Sequence, residues 1–251
     1  SLSNTRRLLL TGLVVALQIL AGHTQSVVIS GLGAALWVVT ERVAGTSGRW
    51  TTRLVAAGRA LLPLIGAALL AALLAAAQLV PTAELQQLSL RSGGLEWRDA
   101  VSFSLDPRLL SLALLPGYSR SLFTEFVASP GLVALGLAVI GAAAADRRRW
   151  PILAVTLVGL GFAFGAYDPV YAGLAFFPPF NLFRVPARWL FLFAAGVALL
   201  AGLGLDALKA SSRRARWAAA GAAVAILAGV ALSIGRTPAG ETGPIGAPAE
   251  G

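Results

Sequence analysis

The chain has 251 residues, of which 57% are hydrophobic and only 12% are charged, and its mean hydropathy is +0.78. It contains no cysteine and one histidine, which excludes disulfides, thiolate nucleophiles, Cys-ligated metals and multi-histidine sites. The apolar runs are too long for an ordinary soluble domain, so the composition predicts an all-α, polytopic transmembrane helix bundle.

Seven stretches are apolar and close to the length that crosses a bilayer, at about 8–22, 25–41, 56–79, 130–145, 151–167, 187–206 and 217–235. They divide the chain into three spans (1–79), an external helical region (80–129), four further spans (130–235) and a Gly/Pro-rich external linker (236–251). Within the external region we expect an amphipathic helix at 82–91, a turn at 92–94 and a short interfacial segment, RLLSLALLP.

The first stretch also resembles a secretory signal, which is an alternative to a first span. No cleavage site follows it and six further spans do, so we favour a span. The chain has no methionine and opens with SLSNTRRLLL, which predicts an internal piece of a longer protein.

The distribution of charge predicts the orientation. With the N-terminus cytoplasmic, inside segments carry 13 Lys and Arg against three acids, and outside segments carry seven Arg against eight acids. The net charge of +9 therefore reflects membrane topology and does not indicate nucleic-acid binding. Aromatic anchors are expected near the two surfaces: Trp50, Trp150 and Trp217 inside, and Tyr167, Tyr171 and Trp189 outside.

The segment GHTQ joins the first two spans with little room for a solvated loop. His23 and Gln25 can close this turn by bonding the unpaired backbone groups of the two helix ends. A polar contact to substrate is the alternative role. Within the spans, Gln18 and Gln78 are expected to form interhelical hydrogen bonds, and GFAFG (161–165) has the spacing that allows close helix approach.

Glu84 follows the third span, in the motif LVPTAEL. Thr82 is predicted to cap the next helix, which would put Glu84 in its first turn. Alternatively Glu84 is a base or a metal ligand. Other external acids could bind a divalent cation in pairs, although they lack a recognisable ligand spacing: Glu96, Asp99, Asp106, Glu125 and Asp168.

The segment RVPAR begins the sixth span with two arginines, Arg184 and Arg188, on either side of Pro186. Their spacing predicts that both lie on one helix face, near the positive end of the helix dipole. Guanidinium groups beside a helix N-terminus suit a phosphate, such as that of a polyprenyl phosphate. The alternative is that they reach lipid headgroups or pair with external carboxylates.

Several motifs together resemble the bacterial YfhO family of membrane proteins. LAGHTQ is similar to that family's L-A-G-H-P-Q, QLVPTAEL to its Q-L-L-P-T-x-E-L followed by SFSL, and FPPFNLFRVPAR to its P-F-x-x-F-R-x-P-x-R. The similarity covers about residues 8–210 in the same order. Thr24 replaces the family's proline, and Gly117 stands where members often have aspartate.

The resemblance implies a GT-C type glycosyltransferase of the bacterial cell membrane, which transfers a sugar from a polyprenyl-phosphate donor to an extracytoplasmic acceptor. It makes His23, Gln25, Glu84, Arg184 and Arg188 candidates for donor binding or architecture. The catalytic acid of such enzymes lies in a first external loop, which we expect to precede this fragment. A lipid-linked sugar flippase or a non-catalytic assembly protein are the alternatives.

Overall fold

The computed structural model describes residues 3–89, 93–115 and 124–210, together with isolated helical positions between 217 and 232. The described part is helical and contains no strand. Its α-helices are α1 (Asn4–Leu20), α2 (Thr24–Gly45), α3 (Trp50–Leu74), α4 (Ala76–Gln87), α5 (Trp97–Ala100), α6 (Leu110–Leu114), α7 (Leu132–Ala143), α8 (Arg149–Ala163), α9 (Pro169–Leu174) and α10 (Leu190–Ala210). Short 3-10 turns lie at Pro107–Leu109, Thr124–Phe126, Gly165–Tyr167, Phe180–Leu182 and Pro186–Trp189.

The chain divides into two compact units, Ser1–Leu95 and Glu96–Gly251. Their boundary lies inside the predicted external region 80–129. Among the residues that the structure describes, three helices are long and apolar enough to cross a membrane: Thr24–Gly45, Trp50–Leu74 and Pro186–Ala210. These apolar helices indicate a membrane protein with more than one span.

The other four predicted spans are not confirmed, because their helices are shorter than these three or fall largely outside the described residues. α1, α7 and α8 have 17, 12 and 15 residues, and 12 residues of helix rise only about 18 Å, against a hydrocarbon core of about 30 Å. The predicted seventh span, 217–235, falls largely outside the described residues, and the predicted linker 236–251 lies wholly outside them. Ser92 and Gly117 lie outside them as well.

In the first unit, α3 packs against both α1 and α2. The contact between α1 and α3 is built on small and branched residues, because Ala16, Ile19, Ala71 and Ala75 form a buried cluster. α3 ends at Leu74, five residues before the predicted end of the third span, 56–79. At Ala75 the carbonyl accepts hydrogen bonds from the N–H groups of both Gln78 and Leu79, so the helix tightens there and α4 begins. α4 also starts six residues before the predicted amphipathic helix 82–91.

In the second unit, α10 packs against α7 and α8, and the helix axes approach closely at glycines. A Cβ on Gly159 of α8 would lie 2.7 Å from the Phe193 nitrogen of α10, and Cβ atoms on Gly141 or Gly204 would overlap backbone atoms of the facing helix. The predicted close approach through GFAFG is wrong. Gly165 lies in a 3-10 turn with φ of +52°, a conformation that favours glycine, and faces Ser104 and Pro186 rather than another helix.

The shorter elements of the second unit lie where α8 ends and α10 begins. The segment RLLSLALLP was expected to lie along the membrane interface, but its described part, residues 108–115, packs inside the unit. Leu109, Ala113 and Leu115 are all less than a tenth exposed. Apolar composition alone could not distinguish burial against protein from burial against lipid.

Candidate functional site

The two arginines of RVPAR do not share a helix face. Val185 adopts a left-handed backbone conformation with φ of 64°, and the 3-10 turn begins after it, at Pro186. Arg184 therefore lies outside the helix and Arg188 lies in its first turn. The prediction of one face was wrong because a left-handed residue breaks the i, i+4 geometry, whereas the prediction that Pro186 begins the helical segment is confirmed.

Arg188 forms a two-pronged ion pair with Glu125. Its Nε donates to Oε2 at 2.5 Å and its Nη2 donates to Oε1 at 2.7 Å. Both side chains are about one third exposed. A planar guanidinium that holds both carboxylate oxygens fixes direction as well as distance, so this pair joins the turn Thr124–Phe126 firmly to the start of α10.

Arg184 has a looser partner. Its Nη2 lies 3.5 Å from Oδ1 of Asp99 in α5, and the two side chains are 46% and 50% exposed. Pairing with carboxylates, the alternative role for these arginines, is thus found for both of them, while the external location of these acids stays a prediction. The two pairs differ in strength, because an exposed pair with one long contact contributes little to stability.

The segment SFSL supports the backbone of RVPAR. The carbonyl of Ser102 accepts a hydrogen bond from the N–H of Val185 at 3.2 Å. The hydroxyl of Ser104 donates to the Val101 carbonyl at 2.6 Å and accepts from the N–H of Ala166 at 2.8 Å. Both serines are buried. They were not predicted as site residues, although two serines that alternate with apolar residues in SFSL were the available signal.

Trp189, which follows Arg188, belongs to a cluster of four aromatic rings: Phe162, Tyr171, Phe180 and Trp189. Phe162 meets Trp189 edge to face, with ring centroids 4.9 Å apart, and Phe180 stacks on Trp189 at 6.0 Å. Tyr171 and Trp189 are 1% and 4% exposed, so the prediction that they anchor the outer membrane surface is wrong. Burial raises the pKa of the Tyr171 hydroxyl to about 12. Of the three predicted outer anchors, Tyr167 remains partly exposed.

Two of the other predicted external acids have local partners. Asp106 pairs with Arg108 at 3.0 Å, and Asp168 caps α9 by accepting the N–H of Tyr171 at 2.8 Å. Within the described parts of the chain, no group of three or more His, Asp and Glu side chains could hold a metal ion. The divalent cation therefore stays a prediction, and no site for it is identified among these residues.

His23 and Gln25 belong to the first unit, where they lie at the start of α2. His23 is the N-cap: its Nδ1 is 3.3 Å from the N–H of Ser26, which donates to it, and 2.8 Å from the Ser26 hydroxyl. This confirms the predicted role of His23 in closing the turn. Gln25 is 5% exposed, and its proposed contact with substrate, like that of His23, stays a prediction.

Glu84 also belongs to the first unit and is exposed in the last turn of α4. The prediction that Thr82 caps this helix is wrong, because its hydroxyl donates to the Gln78 carbonyl one turn earlier, at 2.7 Å, within the helix. Gln78 itself confirms the expectation of an interhelical bond, since its Nε2 donates to the carbonyl of Ile19 at the end of α1, at 3.3 Å. No role as base or metal ligand follows for Glu84 from these contacts.

Comparison with known proteins adds no relative: no family model matches the chain, no curated protein matches it, and no solved structure matches its fold. The resemblance to the YfhO family therefore stays a prediction.

Proposed function

We propose that the chain is part of a membrane glycosyltransferase that transfers a sugar from a polyprenyl-phosphate donor to an extracytoplasmic acceptor, and that Arg184 binds the donor phosphate. The proposal includes the seven-span topology with a cytoplasmic N-terminus. The observation that carries it is the half-exposed guanidinium of Arg184, which lies directly before an apolar helix long enough to span a membrane. The motifs shared with the YfhO family add to it.

The chemistry of such a transfer gives a reason for a cation at this place. The phosphate of a polyprenyl-phosphate sugar carries one negative charge, and the polyprenyl phosphate that leaves carries a second one. Negative charge on the phosphate oxygens therefore grows as the bond to the sugar breaks. A fixed guanidinium attracts the transition state more strongly than the bound donor, and so lowers the barrier.

Arg184 suits this role better than Arg188. An exposed ion pair such as Arg184 with Asp99 contributes about 0–1 kcal/mol, so a phosphate can replace the carboxylate at little cost. Arg188 uses two of its donors to hold Glu125, and removing that carboxylate would loosen the start of α10. Arg188 is therefore a positioning residue that acts through the backbone carrying Arg184.

The test uses the full-length protein in proteoliposomes with a polyprenyl-phosphate sugar and measures both donor binding and sugar transfer. Arg184→Ala is expected to lower kcat/KM by about 10- to 100-fold, which corresponds to about 1.4–2.7 kcal/mol. Asp99→Asn is expected to strengthen donor binding a few-fold, because it removes a negative charge beside the phosphate. Arg108→Ala is the matched control, since Arg108 is also an exposed arginine paired with an aspartate in the same unit.

Two results would contradict the proposal. Equal donor binding by Arg184→Ala and Arg108→Ala would remove Arg184 from the site. Movement of the lipid-linked sugar across the membrane without transfer would identify a flippase or transporter instead of an enzyme.

A further inference from the structure

Two phenylalanines, Phe176 and Phe177, project from the connection between α9 and the turn Phe180–Leu182. They are 62% and 64% exposed, and we call them the Phe tip. The preceding residue, Ala175, is completely buried, so the chain emerges from the core at this point. Two adjacent large apolar side chains that are this exposed are shielded from water only if another surface, of protein or lipid, covers them.

The Phe tip is held in place by its neighbours. The N–H of Phe177 donates to the Leu174 carbonyl at 2.9 Å, and the Phe177 carbonyl accepts from the N–H groups of Phe180 and Asn181 at 2.9 and 3.2 Å. Phe176 stacks on Trp97, with ring centroids 6.2 Å apart and planes 20° apart. These contacts fix the backbone of the tip, so the two rings are held in their exposed positions by the fold.

The tip lies level with the beginning of a candidate membrane span. Phe180, one turn after the tip, stacks on Trp189, and Trp189 belongs to the first turn of the segment Pro186–Ala210. The start of a span is where hydrocarbon meets the headgroup region, and aromatic side chains are enriched at that depth.

The polar groups around the tip agree with a lipid headgroup layer. The indole N–H of Trp97 donates to the Ala172 carbonyl at 2.9 Å, so its ring can enter an apolar medium without leaving a donor unpaired. Arg98 follows it and is exposed, and half-exposed Arg184 lies in ion-pair contact with Asp99 of the same short helix, α5. Arginine beside aromatic rings is typical of segments that lie at a membrane surface.

We propose that the Phe tip inserts into the leaflet at the end of the second unit where α10 begins, and that it anchors this end to the lipid surface. The anchor takes the place that the sequence had assigned to Tyr171 and Trp189, which are buried. The inference needs only that Pro186–Ala210 spans a membrane, so it stands or falls independently of glycosyl transfer.

The absence of cysteine from the sequence allows a clean test. Phe177→Cys in the full chain is labelled with a nitroxide and reconstituted in lipid vesicles, and its collision rates with oxygen and with a water-soluble nickel chelate are measured. Oxygen concentrates in hydrocarbon and the chelate in water. We expect the ratio of oxygen to chelate collisions at position 177 to be several-fold higher than at an aqueous reference.

Arg147→Cys is that reference, since Arg147 is exposed in the connection between α7 and α8. This connection precedes the N-terminus of α8, whereas the tip follows its C-terminus, and α8 is about 22 Å long. Phe176→Cys repeats the measurement on the neighbouring ring. A chelate rate at 177 equal to that at 147 would mean that the tip is in water and would overturn the proposal. Low rates with both reagents would mean that protein covers the tip, which would overturn it equally.

Discussion

The two units have helices of similar apolar character but bury them very differently. In the first unit, the most apolar windows of α2 and α3 are 11% and 17% buried, whereas the window in Pro186–Ala210 of the second unit is 44% buried. The mean hydropathy of these windows is 1.5, 2.0 and 2.0, so α3 and the segment containing α10 are equal by composition. Hydropathy therefore identifies helices that can enter a membrane, but does not tell which of them pack against protein.

Both units contain tight glycines, but they meet different atoms: a Cβ on Gly204 of α10 would meet backbone, whereas a Cβ on Gly12 of α1 would meet the side chain of Leu70, at 2.7 Å. In α10, Gly196 and Gly204 face Thr156 and the Leu137 carbonyl so closely that neither position has room for a Cβ. In the first unit, Gly31 and Gly58 have no neighbouring atom within 4 Å of the position that a Cβ would take. A glycine at a helix contact lets two backbones approach, whereas an open glycine in a helix only lowers its stability.

The largest effect is expected at the contact between α7 and α10. Gly204→Ala would put a methyl group against the Leu137 carbonyl oxygen, which belongs to a backbone that cannot rotate away. Overpacking of this kind costs about 2–3 kcal/mol, so we expect a clear loss of thermal stability in detergent, followed by circular dichroism.

Two matched controls sharpen this comparison. Gly202→Ala lies in the same helix and Gly58→Ala lies in α3, and neither position has an atom within 4 Å of the added methyl group. Both are expected to be neutral or to stabilise by up to about 1 kcal/mol, because alanine favours helix over glycine. Equal destabilisation by all three variants would refute the assignment of Gly204 to a tight helix contact.

A smaller effect separates the two arginines of the second unit. Arg188→Ala leaves the carboxylate of Glu125 partly buried without its two-pronged partner, and we expect a loss of about 1–3 kcal/mol in unfolding free energy. Arg184→Ala breaks an exposed pair and should cost about 0–1 kcal/mol. A double-mutant cycle of Arg188→Ala with Glu125→Ala should give a coupling energy larger than that of Arg184→Ala with Asp99→Ala, and the reverse order would contradict the geometry.

Local signals in the sequence were enough for several of these features. Continuous apolar runs located α2, α3 and α10, the tight GHTQ connection identified His23 as the residue that closes a turn, and Pro186 marked the start of a helical segment. Each of these depends on neighbours within a few residues. For that reason these features could be predicted from the sequence.

The specific partners of residues that are distant in sequence were missed. Asp99 and Glu125 reach Arg184 and Arg188 across 85 and 63 residues of sequence, and no pattern in one chain reveals such pairs. The left-handed backbone conformation of Val185 could not be predicted from the sequence either, because a β-branched residue rarely adopts a positive φ. The burial of Trp189 could not be predicted, because aromatic rings occur both in protein cores and at membrane interfaces. The helix break at Ala75 could not be predicted either, because the alanines on both sides of it favour a helix equally well.

The smallest effect is expected in the first unit, at the cap of α2. His23→Ala removes the acceptor of the Ser26 N–H and should destabilise α2 by about 0.5–1 kcal/mol, whereas His23→Asn supplies another N-cap acceptor and should preserve stability. Because α2 has little buried surface, this loss should appear as local opening, seen as faster hydrogen exchange of the Ser26 amide, more than as a change in global unfolding. If Ala and Asn at position 23 gave the same exchange rate, the cap would not hold the turn, and the contact of His23 with substrate would become the better explanation of this residue.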